Sequence, residues 1–387
     1  MTSSAGLKLS ASGTRRNEAL HPDSPPVQHA PAGDCMTHRR YAVLMFAVLA
    51  AALAAATLAA ICLGAYRLTP TEVWAALFAK PHLDADPALQ QARLVLLHLR
   101  LPRITLALLV GAGFGAAGSA MQALFRNPLA DPGLVGISSG AALGASTFIV
   151  FGSLLSPLLG SLSGFASLSL LPMAAFIGAL GVSALVYRIA AARGQLALPL
   201  LLLAGIAINA LTGAAIGLLT YIANDAQLSS LTFWSLGSLG GAQWHQIAAI
   251  LPCVMLGIGL IARHSQALNA LQLGEAEAQH LGVPVPTVKR QVLAASALSI
   301  GALVSCTGVI GFISLVAPHC VRLACGPDQR IVMPGAMLLG ATLTVTADLA
   351  ARTVAVPTEV PLGVLTALLG APFFLLLLWR SRSQLGL

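Results

Sequence analysis

The sequence has few charged residues. Asp, Glu, Lys and Arg together make up 9% of its 387 residues, whereas a soluble domain carries about 25%. A soluble fold needs a charged surface, so this composition excludes a soluble globular protein. Hydrophobic residues account for 57% of the chain and the mean hydropathy is +0.84, which excludes a disordered chain. The remaining class is an α-helical membrane protein with several spans.

Lysine is especially rare, and its scarcity excludes one route to nucleotide binding. The lysines are Lys8, Lys80 and Lys289, and none of them follows a glycine. The phosphate-binding loop GxxxxGK[ST] therefore cannot form in this chain. If the protein takes part in ATP-driven transport, we expect a separate chain to bind and hydrolyse the ATP.

Sequence signatures of enzymes and metal sites are also missing. The chain has no HExxH, no GxSxG and no pair of carboxylates within an apolar run, which disfavours an intramembrane enzyme. Its six cysteines include no CxxC, and Cys62, Cys253 and Cys306 lie inside apolar runs, which indicates small core residues rather than disulfides. His319 and Cys320 are adjacent and would point to different helix faces. We expect no metal and no cofactor.

Long apolar runs are what the sequence has in abundance. A spanning helix needs about 20 apolar residues, and ten runs are candidates, of which the eighth, 309–324, is short. The predicted fold class is therefore an all-α polytopic membrane protein with ten transmembrane helices. The predicted spans are 41–65, 104–124, 134–152, 170–191, 198–221, 244–263, 288–306, 309–324, 331–350 and 362–380.

Glycines recur within several of these spans. Spacings of four let helix backbones approach closely in lipid. They occur at Gly111/Gly115 and at Gly136/Gly140/Gly144. The fifth span contains Gly205, Gly213 and Gly217, which is compatible with a broken helix lining a cavity.

The charges predict the orientation of the chain. Its 21 basic and 13 acidic residues give a net charge of +8. With the N-terminus inside, the external basic residues are six, namely Arg67, Lys80, Arg93, Arg100, Arg103 and Arg352, against 21 − 6 = 15 inside. Both termini are then cytoplasmic by the positive-inside rule. The basic residues are scattered rather than gathered on one face, so we expect no nucleic-acid binding.

The first 40 residues differ from the rest of the chain. They are rich in Ser, Pro, His and Ala and contain no apolar run, which predicts a disordered cytoplasmic extension before a membrane domain over 41–387. Met36, shortly before the first apolar run, is an alternative start of the protein. A flexible tail from Met1 is the other interpretation.

One cytoplasmic stretch, 269–286, is too polar to span the membrane. Glu275 and Glu277 suit the N-terminus of a short helix, and Leu281-Gly282 followed by Pro284 suits its end. A short structured helix between two spans can serve as a docking lever for a partner. An ordinary amphipathic connector is the equal alternative.

Polar residues at the outer face and within the spans are the remaining candidates for function. Arg100, Arg103 and Arg352 oppose the positive-inside trend, which indicates an acidic partner or anionic substrate outside, or anchoring at the headgroups. Asp348 lies four residues before Arg352, as in a helical ion pair. Gln122 and Asn209 are candidates for pore lining or for bonding to a neighbouring helix. The six candidates are Arg100, Arg103, Arg352, Asp348, Gln122 and Asn209.

Several motifs, in order along the chain, resemble the FecCD-type permeases of ABC importers. The match runs from about residue 41 to the C-terminus. It is carried by Arg100-Leu-Pro-Arg103, Gly118-Ser-Ala-Met-Gln122, Arg126-Asn-Pro-Leu-Ala-Asp-Pro132, the stretch 273–282, Gly308-Val-Ile-Gly-Phe312 with Pro318, His319 and Arg322, and Glu359-Val-Pro-Leu-Gly363. The stretches 201–210 and 231–241 look most like haem importers. Ser314 and Cys320 depart from the usual family residues.

The resemblance implies a fold, partners and site residues. It implies a type II importer permease of ten helices per subunit in the bacterial inner membrane. The subunit would work as a homodimer with two ATP-binding cassette subunits, which bind the ATP, and with a periplasmic substrate-binding protein. The implied cargo is haem, with ferric siderophores or cobalamin as the alternative. An ion-coupled secondary transporter is the rival class.

The resemblance also assigns roles to individual positions. Arg100, Arg103 and Arg352 would pair with glutamates of the binding protein. The residues that meet the ATPase would be Gly274, Glu275, Ala278, Leu281 and Gly282. The candidates along the transport pathway are Gln122, Asn209 and Tyr221.

Overall fold

The computed structural model describes residues 33–64, 66–78, 86–159, 169–192 and 195–382. These residues form fifteen α-helices, one π-helical turn, one 3-10 turn and one short β-hairpin. In chain order the helices are α1 Gly33–Cys62, α2 Pro70–Phe78, α3 Pro87–Leu94, α4 Leu101–Phe125, α5 Ile137–Leu159, α6 Leu170–Ala190, α7 Leu198–Ile222, α8 Asp225–Leu236, α9 Trp244–Arg263, α10 Ser265–Leu273, α11 Glu275–His280, α12 Val285–Thr307, α13 Ile313–Cys325, α14 Gln329–Ala351 and α15 Leu362–Arg382.

The described helices confirm the all-α membrane architecture. Seven helical stretches are long and apolar enough to cross a membrane, namely Arg40–Cys62, Pro87–Phe125, Leu170–Ala190, Leu198–Ile222, Trp244–Arg263, Val285–Thr307 and Gln329–Ala351. Three shorter apolar stretches, Ile137–Ser153, Ile313–Cys325 and Leu362–Leu376, complete the set. Each of the ten overlaps one predicted span.

Two helix starts differ from the sequence-based boundaries. α1 begins at Gly33, so residues 33–40 are helical rather than part of a disordered extension, and residues 1–32 lie outside the described part of the chain. The second span begins at Pro87 instead of 104, because a π-helical turn, Val95–Arg100, joins α3 to α4 without a break. Pro102 lies in the first turn of α4, directly after the π-helical turn, and does not interrupt the continuous helix.

The glycines act through packing rather than through breaks. A Cβ at Gly115 would lie 2.2 Å from the carbonyl oxygen of Ala336, so α4 and α14 touch backbone to backbone. The expectation of a broken fifth span is wrong, because α7 is one continuous helix from Leu198 to Ile222. Within it Gly205 packs against Leu134, while Gly213 and Gly217 have open space where a Cβ would be.

Helix α4 is the centre of the fold. Nearly all its side chains from Ile104 to Leu124 are buried, and it packs against α9, α12, α13 and α14. A two-residue hairpin, Ala191–Ala192 with Gln195–Leu196, connects α6 to α7. The central position of α4 brings Arg103 near its N-terminal end and Gln122 near its C-terminal end into contact with other helices.

Candidate functional site

The N-terminal end of α4 and the C-terminal end of α14 meet in an ion-pair cluster around Asp348. Arg103 Nε donates to both carboxylate oxygens of Asp348, at 2.8 and 3.1 Å. Arg352 Nε lies 3.6 Å from Asp348 Oδ2, which confirms the predicted i,i+4 pair. The side chain of Asp348 is only 2% exposed, so its charge depends on these two guanidinium groups.

Arg103 has a second carboxylate partner that faces outward. Its Nη1 donates to Glu359 Oε1 and Oε2, at 2.9 and 3.0 Å. The side chain of Glu359 is 47% exposed, whereas that of Arg103 is 12% exposed. Arg103 therefore joins a buried carboxylate on one edge to a carboxylate in contact with solvent on the other.

Arg100 and Arg352 point inward, toward the end of α1. Arg100 donates to the carbonyl oxygens of Ile61 and Tyr66, and Arg352 Nη2 donates to Ala60 O at 2.7 Å. The last carbonyls of a helix lack intrahelical donors and carry partial negative charge, so a guanidinium group stabilises them. Both arginines are buried, which contradicts the alternative of headgroup anchoring.

A cavity of about 280 Å³ opens next to this cluster. It is lined by Arg100, Arg103, Arg352, Glu359 and Tyr66, among others. The three arginines predicted to act together are thus brought to one place. Sequence reasoning missed Glu359 as their partner, although it begins the motif Glu359–Gly363 that carried part of the resemblance.

The cytoplasmic stretch contains the short helix that was predicted. α10 and α11 meet at Gly274, whose φ of +139° is a conformation that favours glycine. α11 ends at Leu281, and Gly282 follows with φ +82°. Glu275 Oε2 lies 2.6 Å from Lys289 Nζ on α12, so the helix is tied to a membrane helix.

Burial divides the five residues proposed to meet the ATPase. Gly274 and Ala278 are buried, so both residues pack inside the protein and do not offer a contact surface. Leu281 is 65% exposed, and Gly282 is exposed beside it. Of the five residues, the exposed ones therefore lie at the C-terminal end of α11.

The three pathway candidates lie in different environments. Gln122 is buried between α4 and α13, where Nε2 donates to Leu315 O at 3.2 Å and Oε1 accepts from Arg322 Nη1 at 2.9 Å. This supports the alternative interpretation of Gln122 as a bond between helices and removes it from any surface pathway.

Metal-ligand groups of three His, Cys, Asp or Glu do not occur in the described ranges.

Asn209 and Tyr221 both lie on α7 but differ in exposure. Asn209 is half-buried, donating from Nδ2 to Gly133 O at 3.3 Å and accepting from Ser139 Oγ at 2.5 Å. Tyr221 is 86% exposed. The same helix exposes Leu203, Ile206, Leu211 and Leu218, so α7 presents a long apolar face.

Comparisons with known proteins agree with this architecture. The FecCD transport family matches residues 51–380. The hemin transport system permease protein HmuU of Yersinia pestis is 51% identical over 293 residues, 74% of this chain and 84% of that protein. The cobalamin import system permease protein BtuC of Halobacterium salinarum is 40% identical over 313 residues, 80% of each chain.

A solved structure shares the fold. An inward-facing conformation of a metal-chelate type ABC transporter superposes with a TM-score of 0.73 at 31% identity, covering 87% of this chain and 99% of that one. The helices, the order of the motifs and the extent of the family match lead to one assignment. The chain belongs to the FecCD transport family and is a multi-pass membrane permease subunit of an ABC importer, a class that works with ATPase and substrate-binding partners.

Proposed function

We propose that this permease moves haem (hemin) from the periplasm to the cytoplasm by alternating access. The observation that carries the proposal is the 51% identity with a hemin permease, against 40% with a cobalamin permease of similar coverage. Import of a ferric siderophore or of cobalamin by the same mechanism is the second candidate, favoured by the cobalamin permease among the relatives.

The working unit in this proposal is a homodimer in the bacterial inner membrane. Two ATP-binding cassette subunits hydrolyse the ATP, since this sequence lacks a phosphate-binding loop. Both termini lie in the cytoplasm, in line with the distribution of Lys and Arg. Residues 41–387 then form the permease domain behind a cytoplasmic extension.

The binding protein docks on the outer face formed by Arg100, Arg103 and Arg352. Guanidinium groups bind carboxylates with bidentate geometry, which gives orientation as well as attraction. The three arginines line one cavity, which directs glutamates of a docked protein to this part of the outer face. Docking there places the released ligand beside the outer ends of the helices.

The ligand crosses along the dimer axis, which we place at α7 with α4 and α5 nearby. The exposed face of α7 is apolar and ends at Tyr221. An apolar pathway binds a large ligand weakly, so the ligand can leave again. Asn209 borders this face, and its Oδ1 accepts a hydrogen bond from Ser139 Oγ. Gln122 instead forms hydrogen bonds between α4 and α13 inside the subunit.

The stretch 269–286 couples the pathway to the ATPase. Closure of the ATPase dimer pushes on the end of α11 at Leu281 and Gly282. The ion pair between Glu275 and Lys289 passes the displacement to α12. ATP then shifts the population between the outward-open and inward-open states, because it binds one arrangement better than the other.

An ion-coupled carrier is disfavoured by the same geometry. Such a carrier needs an acidic residue that can bind and release an ion within the membrane. Asp348, an acidic residue near the end of a span, is instead engaged by Arg103 and Arg352.

Competition between ligands tests the proposed cargo. Proteoliposomes would contain this chain with its ATPase and its binding protein, with ATP inside and labelled haem outside. We expect haem uptake to persist under a large excess of cobalamin or ferric siderophore. ATP-driven uptake of either competitor without haem uptake would overturn the cargo and leave the importer mechanism in place.

A further inference from the structure

We propose that Glu359 is a built-in competitor for Arg103, which a carboxylate of the docking protein displaces. The proposal rests on the proposed function of the outer face and refines it. It assigns the exchangeable contact to Arg103 alone among the three arginines. Arg100 and Arg352 keep their inward contacts during docking.

The two carboxylates on Arg103 differ in how easily they can leave. Asp348 is almost fully buried, so release from Arg103 would strand a charge away from water. Glu359 is about half exposed, so it regains hydration when it swings away, and exposed pairs of this kind are weak. The Nη1 edge of Arg103 is therefore the one that can change partners.

Release of Glu359 requires only a side-chain rotation. The backbone on either side of it is fixed, because Val360 N donates to Ala351 O at 3.0 Å and Leu362 N donates to Gly237 O at 2.9 Å. Gly240 lies beside the pair, and a Cβ there would be in van der Waals contact, at 3.4 Å from Glu359 Oε2 and 3.8 Å from Arg103 Nη1. The cavity of about 280 Å³ is lined by Arg103, Glu359 and Gly240, so an incoming carboxylate can approach the pair through this cavity.

The charge balance permits the exchange. The cluster contains three arginines and two carboxylates, Asp348 and Glu359, so its net charge is +1. When Glu359 turns into solvent, the remaining groups carry +2, and a new carboxylate restores the original balance. Arg100 and Arg352 do not take part because they hold the carbonyl oxygens at the end of α1.

The test measures the affinity of the binding protein for the permease–ATPase complex in nanodiscs. Glu359→Gln removes the competitor and should tighten docking about twofold to fivefold, the range of an exposed ion pair. Glu72→Gln is the matched control, since Glu72 is an exposed carboxylate that accepts hydrogen bonds from Thr69 N and Oγ1. It should leave the affinity unchanged.

A double variant tests whether the effect acts through Arg103. Arg103→Gln should weaken docking, and Glu359→Gln should give no gain in that background. If Glu359→Gln weakens docking or leaves it unchanged while Arg103→Gln weakens it, the competition between Glu359 and the binding protein is disproved. The role of Arg103 in docking is retained in that case. If the unaltered complex does not bind the protein at all, the proposed function fails instead.

A second variant covers the case in which Glu359→Gln does not fold. Gly240→Asp keeps Glu359 and adds a carboxylate beside Arg103, so docking should weaken at least threefold relative to Gly240→Ala. Equal affinities for these two variants would contradict the exchange at Arg103.

Discussion

Lys289 on α12 is buried and pairs with Glu275 on α11, with Nζ and Oε2 2.6 Å apart. The same ammonium group also donates to Leu196 O, at 3.2 Å. One buried lysine thus ties the cytoplasmic helix, the hairpin before α7 and a membrane helix together. In the proposed function, this buried lysine would connect the proposed ATPase contact to the proposed pathway along α7.

Glu275→Gln should reduce stability and coupling together. The change leaves the buried ammonium of Lys289 with neutral acceptors and no carboxylate, at a cost of about 1–3 kcal/mol. The thermal midpoint of the purified chain and the ATP hydrolysed per transported ligand report the two effects. Glu277→Gln is the control, because Glu277 lies exposed on the same helix, and an equal effect of both substitutions would contradict the role of the ion pair.

Leu281→Asp should weaken the binding of the ATPase subunit without changing the stability of the folded chain. Leu281 is exposed, so the folded chain loses little, while an apolar anchor in a partner interface is worth about 2 kcal/mol or more. We expect at least a tenfold drop in affinity for the ATPase subunit, measured by titration in nanodiscs, and an unchanged thermal midpoint. Undiminished ATPase binding would show that the coupling surface lies elsewhere.

Gly115→Ala should destabilise the centre of the fold. The added Cβ would lie 2.2 Å from Ala336 O, so α4 and α14 must separate, and overpacking of this kind costs about 1–3 kcal/mol. Gly181→Ala on α6 has open space around the new Cβ and should be neutral or slightly stabilising. Thermal unfolding in detergent compares the two, and similar midpoints would argue against the close contact.

Thiol labelling distinguishes the pathway candidates. In a variant without native cysteines, Tyr221→Cys should react with a water-soluble maleimide applied from the outside, because Tyr221 is exposed at the outer end of α7 in the proposed orientation. Gln122→Cys should stay unreactive in the folded protein, since Gln122 is buried between α4 and α13. Rapid labelling of Gln122→Cys would show that position 122 is accessible from the pathway.

Local sequence patterns predicted much of the fold. Apolar runs gave ten spans because each must satisfy its own backbone within lipid. The spacing of Gly111 and Gly115 predicted a backbone contact, and the four-residue separation of Asp348 and Arg352 predicted their pairing. The glycines of the fifth span were misread, because Gly205 permits a close approach to Leu134 and no break results.

Contacts between distant parts of the chain were not accessible in this way. Arg103 and Asp348 are 245 positions apart, and only the packing of α4 on α14 brings them together. The burial of Gly274 and Ala278 depends likewise on how α11 lies on its neighbours. Sequence could name the arginines as a group, but not which of them is free to change partners.

ATP dependence of haem uptake tests the account most directly. Proteoliposomes carrying this chain, its ATPase and haem-loaded binding protein would be compared with ATP inside, with no nucleotide, and with a proton gradient alone. The account predicts uptake only with ATP inside, and none with the gradient. Uptake that follows the gradient and continues without ATP would contradict the assignment of this chain as the permease of an ATP-driven haem importer.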